Sequence, residues 1–184
     1  MKTRFIKEEL TFTGEQLHSL FAYDNYNILG DSIIAFIGAC DISLKETVDL
    51  ETQKARKYSF VPKMLHFLCE HFEVDIEKAI LRSCLLLDIV KDVLNEKLGT
   101  NQIKRVFNEL YDGESRVAIS MATSSPVSSL IYVGVHIVPP TDIPAKGLED
   151  YQIDPLEFGN LVLERYAKDA ERINQMRYRT RWVE

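Results

Sequence analysis

"YDGESRVAISMATSSPVSSLIYVGVHI", residues 111 to 137, is the stretch on which the reading of this chain turns. Asp112-Gly113 is the strongest short hairpin signal available, because both central residues of a type I′ turn need positive φ. It joins the run that starts at Ile103 to a second one through Ala122, and the proline and serines of "SSPV" predict another turn between Ala122 and Ser129. Alternation within the later strands predicts two unequal faces. Val117, Ile119 and Met121 join Ile131, Val133, Val135 and Ile137 on one; Ala118, Ser120 and Ala122 join Tyr132, Gly134 and His136 on the other. The first is a floor for helices. The second leaves room for a ligand close to the backbone, or for a closely packed helix.

Outward from this core, Ile80, Cys84, Leu87, Val90, Leu94 and Leu98 recur at helical spacing, with Asp75 as N-cap and Gly99 at the C′ position. A helix over 76–98 follows. "MLHFLCEHF" (64–72) reads as a strand, and "LGDSIIAFIG" (29–38) as a strand buried on both faces. Between them, residues 40–62 lack a long apolar face and predict a binding-type loop with at most one short helix, closed by Val61 and Pro62. Thr13 and Gln16 have capping-box spacing ahead of a helix at 14–22, and Asp154-Pro155-Leu156-Glu157 starts a last helix running to about Tyr178. Arg172, Arg177, Arg179 and Arg181 at its end complement the helix dipole or contact an anion.

The 184 residues, 46% of them apolar, bound one domain with a real core. Twenty-two basic against 28 acidic residues give a net charge of -6, which disfavours general nucleic-acid binding and attachment to anionic membrane. Cys40, Cys69 and Cys84 are odd in number, sit in apolar runs and lack CxxC spacing, as expected of buried thiols in a reducing compartment. With no apolar leader and no run approaching the ~18 residues that span a bilayer, the expected location is the cytoplasm.

The chemistry has several candidates. His66 and Glu70 share a face and form an acid/base pair, or a pair merely hydrogen-bonded beside the core. They match neither HExxH nor HxxEH and have no third ligand at a defined spacing, so no metal site is assigned. Asp31, between Gly30 and Ser32, stands at the entrance of a buried strand, as a site carboxylate or an ordinary turn residue. Asp41, Asp49 and Glu51 read as a solvated acidic loop. No GxxxxGK[ST], GxGxxG or GxSxG pattern occurs, which removes the usual support for P-loop, Rossmann and α/β-hydrolase readings.

At "LGDSIIAFIGACD", "MLHFLCEHF" and "DGESRVAISMATSSPVSSLIYVGVHI" the chain resembles, over nearly its whole length, the prokaryotic family called domain of unknown function 366. More distantly, "NELYDGESRVAIS" after a long helix resembles the part of biotin and lipoate protein ligases where an Asn-Asp strand and a tight turn precede the strand whose lysine binds the acyl-adenylate. Asn108 and Glu109 stand at the Asn-Asp pair, Gly113 at the turn and Arg116 at the lysine. Arginine thus replaces the lysine, Ser120 stands near the glycine that follows it, and the Arg-Arg-x-Gly-Gly-Gly segment is absent from residues 41–64. An arginine can still hold a phosphate through two hydrogen bonds.

The expected architecture is a single α+β domain with a mixed, largely antiparallel sheet of five to seven strands and packed helices, as the ligase resemblance implies. The leading expected function is binding of a small molecule or acyl-nucleotide, with ligase- or transferase-like chemistry and no cofactor assigned. Arg116 would bind an anionic group, Ser120 and Tyr132 would orient the ligand, Asp31, Asn108 and His136 would line the site, and His66 with Glu70 would move protons. The competing expectation is a non-catalytic homodimeric module in which the same small-residue face and the C-terminal helix, with Leu161, Val162 and Tyr166, meet a second copy.

Overall fold

The computed structural model describes residues 1–43, 45–48, 50–54 and 59–183. In chain order the elements are β1 (Lys2–Phe5), α1 (Phe21–Tyr26), β2 (Ser32–Ile42), α2 (Leu50–Lys54), β3 (Ser59–His71), α3 (Ile76–Leu98), β4 (Ile103–Val106), β5 (Glu109–Asp112), β6 (Ser115–Ser124), β7 (Ser129–Val138) and α4 (Pro155–Arg179). The strands form one open sheet in the order β1-β2-β3-β7-β6-β5-β4, and only β1–β2 is parallel. The fold is therefore mixed α+β with a seven-stranded, mostly antiparallel sheet.

Helix α3 begins and ends where its local chemistry dictates. The Asp75 carboxylate accepts the Lys78 N–H at 3.0 Å, and Gly99 adopts φ 65°, from which its N–H reaches the carbonyls of Asn95 and Glu96. Asp75→Ala is expected to cost about 1 kcal/mol, seen as a lower urea midpoint at unchanged m-value. Asp154 repeats the device at α4, accepting the Glu157 N–H at 2.7 Å ahead of Pro155.

Both long helices lie on one sheet face. Leu86, Leu87, Val90 and Leu94 of α3 and Phe158, Val162 and Tyr166 of α4 bury Ala35, Leu65, Phe67, Val133 and Val135. A second core occupies the opposite face, where Ile34, Phe36, Met64, Leu68 and Tyr132 are covered by Ile6, Phe12 and Ala22. That cover is a strap, residues 6–30. It follows β2 by donating the Ile6, Leu10 and Phe12 N–H groups to the carbonyls of Ala35, Ile37 and Ala39.

Several local features differ from the sequence expectation, each for an identifiable reason. The Thr13–Gln16 contact forms, with Gln16 Oε1 accepting the Thr13 N–H at 3.0 Å, but the chain then turns, and Leu20 at φ 68° precedes a helix beginning at Phe21 rather than Gly14. Pro62 does not close a loop; it lies inside β3 where the register with β2 shifts, the kind of irregularity that tolerates a missing N–H. The run 103–112 is two strands, broken by a turn whose Phe107 stands at φ 50°.

The faces of β6 and β7 depart furthest from the sequence expectation. Their connection has four residues, 125–128, so odd-numbered residues of one strand stand opposite even-numbered residues of the other: Ser120 faces Val133 and Ile119 faces Gly134. Ala118, Ser120 and Ala122 consequently lie beneath the helices with Val133 and Val135, where small side chains admit close packing. Ile119 and Met121 lie on the strap side with Tyr132 and Gly134. The small-residue face expected from alternation is thus divided between the two sides of the sheet.

Candidate functional site

The strap-side face has a rigid aromatic centre. Gly38 C=O accepts only, so His66, fully buried, carries its proton on Nε2 and donates to it at 3.1 Å, while Nδ1 accepts the Tyr132 hydroxyl at 3.1 Å. Burial depresses the His66 pKa to about 4, so the ring is neutral. Phe12 stacks on Tyr132 with ring centroids 4.3 Å apart, and Phe36 stacks on His66 at 4.8 Å. Gly134 permits this arrangement, because a Cβ there would lie 2.4 Å from the Tyr132 hydroxyl. Cys40 completes the chain by sharing a hydrogen bond with Tyr132, and burial pushes its thiol up to about 11.

Glu70 lies on the same face, four strand residues from His66 or about 13 Å along β3. The structure does not join the two as a pair. Both Glu70 carboxylate oxygens accept the Leu20 N–H at 3.0 Å, and Oε1 also accepts the Ser128 hydroxyl at 2.7 Å. Glu70 therefore fastens the strap to the β6–β7 turn. Beside it is a cavity of about 20 Å³, walled by Gln16, Leu17, His18, Phe21, Ser32 and Leu130 among others, with room for one water molecule.

Toward β5 and β6 the face is only half-buried, and residues 144–146 run beside Arg116, whose N–H donates to the Pro144 carbonyl and whose carbonyl accepts the Lys146 N–H. Register places Glu109, Tyr111, Arg116, Ile119 and Met121 together there, all half-buried. Arg116 Nη1 donates to Glu109 Oε1 at 3.2 Å, and the other Glu109 oxygen accepts the Tyr111 hydroxyl at 2.7 Å, so two contacts aim the guanidinium. Its Nε is buried and has no hydrogen-bond partner among the described residues. His136 lies beneath, its Nδ1 3.2 Å from the Arg116 carbonyl oxygen; burial, reinforced by the Arg116 charge, lowers its pKa to about 4. Asn108 and Ser120 bond each other instead: the Ser120 N–H and hydroxyl both donate to the Asn108 carbonyl, and Asn108 Nδ2 donates to the Ser120 carbonyl.

Asp31 belongs to a separate group that the sequence did not reveal. His71 Nδ1–H donates to Asp31 at 3.2 Å, and its Nε2 accepts the Tyr166 hydroxyl at 3.0 Å. The His71 contact holds the Asp31 carboxyl below the usual carboxylate range. Opposite parity to His66 and Glu70 places His71 on the helix side; nothing in the sequence points to Tyr166, 95 residues away. In the acidic loop, Glu51 lies in α2, and Asp49 lies outside the described residues. Among the described residues no three His, Cys, Asp or Glu side chains gather as a metal-binding group, and no described helix is long and apolar enough to cross a membrane.

Comparison with known proteins places this geometry. An uncharacterized protein of Methanocaldococcus jannaschii is 28% identical over 183 residues, covering 95% of this chain and 82% of that protein. A protein of unknown function from Pyrococcus horikoshi superposes with a TM-score of 0.92 at 29% identity, with 100% of both chains covered. The biotin protein ligase of Aquifex aeolicus, solved with biotin and ATP, shares the fold with a TM-score of 0.63 at 14% identity, covering 94% of this chain and 72% of the ligase. So does a T. acidophilum protein assigned as a lipoate protein ligase and solved with lipoic acid, with a TM-score of 0.58 at 14% identity over 93% of this chain and 87% of that one. The ligase likeness is one of fold, whereas sequence similarity extends over residues 1–181 to the family described as Domain of unknown function (DUF366), to which this chain belongs.

Proposed function

We propose that this protein binds a small molecule or acyl-nucleotide and performs ligase- or transferase-like chemistry on the half-buried part of the strap-side face. The observation that carries the reading is the Arg116 guanidinium, aimed by Glu109 beside the half-buried Tyr111, Ile119 and Met121, with a buried Nε that lacks a partner among the described residues. A carboxylate or phosphate oxygen would complete that donor set and offset the cost of the unsatisfied N–H. The shared fold supports the same direction, since the ligases named above were solved with biotin, ATP or lipoic acid. On this reading Tyr132 and His136 form the rigid ground beneath the ligand. His66 holds the Tyr132 hydroxyl in place, and Glu70 keeps the strap closed over the other half of the face.

The test is a thermal-shift screen with ATP, biotin, lipoate and non-hydrolysable acyl-adenylates. A ligand at 100 times its Kd adds about 2.7 kcal/mol of stability, an easily read shift. Arg116→Ala is expected to weaken the responding ligand about 10- to 100-fold, the range of one charge-assisted contact. No response to any of the four classes, or undiminished affinity in Arg116→Ala, overturns the reading.

A further inference from the structure

Helix α4 outruns the body of the protein. Through Tyr166 it buries one stripe against the sheet, with Val162, Leu163 and Tyr166 at 0–2% exposure. From Glu171 to Val183 every side chain except the half-buried Asn174 is exposed. The stripe nevertheless continues: Ala170, Ile173 and Met176 follow Tyr166 at steps of three and four, and Ile173 and Met176 are 41% and 55% exposed. Beyond them Tyr178, Trp182 and Val183 are 77–93% exposed. A helix end of this kind presents a core-type surface with no described residue of its own chain burying it.

The order of charges along this end identifies what fits it. Before Ile173 acids and bases balance, with Glu164, Asp169 and Glu171 against Arg165, Lys168 and Arg172, whereas Arg177, Arg179 and Arg181 follow it with no acid among residues 174–183. Asp169 makes a 3.5 Å contact with Arg172, both groups being well exposed. A second copy laid antiparallel with Ile173 opposite Ile173 brings Asp169 level with the second copy's Arg177, and Ala170 level with its Met176. Opposite charges and a small residue facing a large one then coincide at one register, and each contact occurs twice, as two-fold symmetry requires. A parallel arrangement would set the arginines against one another. The tip is not peculiar to this chain, since the P. horikoshi structure matches it over its full length.

We propose that the projecting end of α4 is a self-association surface, pairing antiparallel with α4 of a second copy about a two-fold axis at Ile173. Tyr178, Trp182 and Val183 then cover the flanks of the pair. Buried aromatics contribute about 150–250 Å² each, so the four of the pair supply about 600–1,000 Å² of the roughly 1,200 Å² at which stable interfaces begin, and Ile173, Met176 and Val183 of both copies add to it. The proposal does not depend on the ligand reading above, because no residue of the tip belongs to the Arg116 face.

Sedimentation of the full chain should give twice the chain mass, with weaker association at high salt. Ile173→Asp should sediment as a monomer with unchanged circular dichroism, since residue 173 is already exposed. Arg177→Asp should weaken association at least about tenfold, and Asp169→Arg combined with Arg177→Asp should restore it. Ile173→Cys should yield a reducible covalent dimer, because the axis sets the two positions opposite each other. A monomer at 100 µM, a dimer that survives Ile173→Asp, or the absence of a covalent Ile173→Cys dimer overturns the proposal. So does a monomer whose tip is retained on heparin, which would assign the tip to a polyanion.

Discussion

Gly38→Ala is expected to destabilise the protein by about 3–5 kcal/mol or to prevent folding. A Cβ at this position would lie 1.9 Å from the Leu10 carbonyl oxygen and 2.5 Å from its carbon. Both are backbone atoms, and neither can rotate away. Leu10 is itself pinned, because its N–H donates to the Ile37 carbonyl at 3.0 Å. To admit the methyl group the strap must lift, which loosens Phe12 from Tyr132 and disturbs the carbonyl that receives His66 Nε2–H. Gly134→Ala provides the comparison. Its Cβ would meet side-chain rather than backbone atoms, the Met64 methyl, which can rotate away, and the Tyr132 hydroxyl, which is held by His66, so the loss should be smaller but not negligible. Urea unfolding of the two variants should show the larger decrease for Gly38→Ala; the reverse order would mean that the strap is not seated on β2 as described.

Stability should also decline steeply as the pH falls from about 6.5 to 4, because of two buried histidines. In the unfolded chain each takes up a proton near pH 6.5. In the folded protein His66 and His136 remain neutral down to about 4, held there chiefly by burial. Within that window the unfolded state binds more protons, so stability rises with pH and is lost as pH falls. Each histidine contributes a change on the order of 3 kcal/mol at 1.36 kcal/mol per pKa unit. Asp31 acts in the same direction in a lower window: its depressed pKa adds stability that is lost only as the pH falls below the usual carboxylate value of 3.8. Urea unfolding at pH 7.5, 6 and 5 should trace the histidine slope, and His66→Gln should remove about half of it, whatever its effect on absolute stability. An unchanged urea midpoint across those three values would contradict the buried, neutral state of both rings.

What the sequence made legible follows how locally each feature is determined. Both ends of α3 could be placed because Asp75 and Gly99 act on atoms within five residues of themselves. The strands β2, β3, β6 and β7 carry their own apolar patterns. The division of faces could not be read in the same way, since it depends on whether the β6–β7 connection has an odd or an even number of residues, and "SSPV" marks a turn without fixing its length. Phe107 gave no warning of a positive φ, being neither glycine nor asparagine. At the candidate site His66, Glu70, Arg116, Tyr132 and His136 were visible as polar groups at apolar strands, but their partners were not. Glu70 is 50 residues from Leu20, and His66 is 66 residues from Tyr132. Periodicity cannot report pairings over such separations.

The strap also sets an order of events during synthesis. The ring on which Phe12 stacks, Tyr132, emerges roughly 120 residues after it, an interval of about 6–24 s at 5–20 residues per second. Throughout that interval the apolar side of β2 has no completed sheet beneath which to settle, and the strap has nothing to cover. Contacts of this span form late, after the local pairing of β5, β6 and β7. A chain that ends before β7 therefore keeps Phe12, Ile34 and Phe36 available to chaperones and proteases, whereas a finished chain withdraws all three at once.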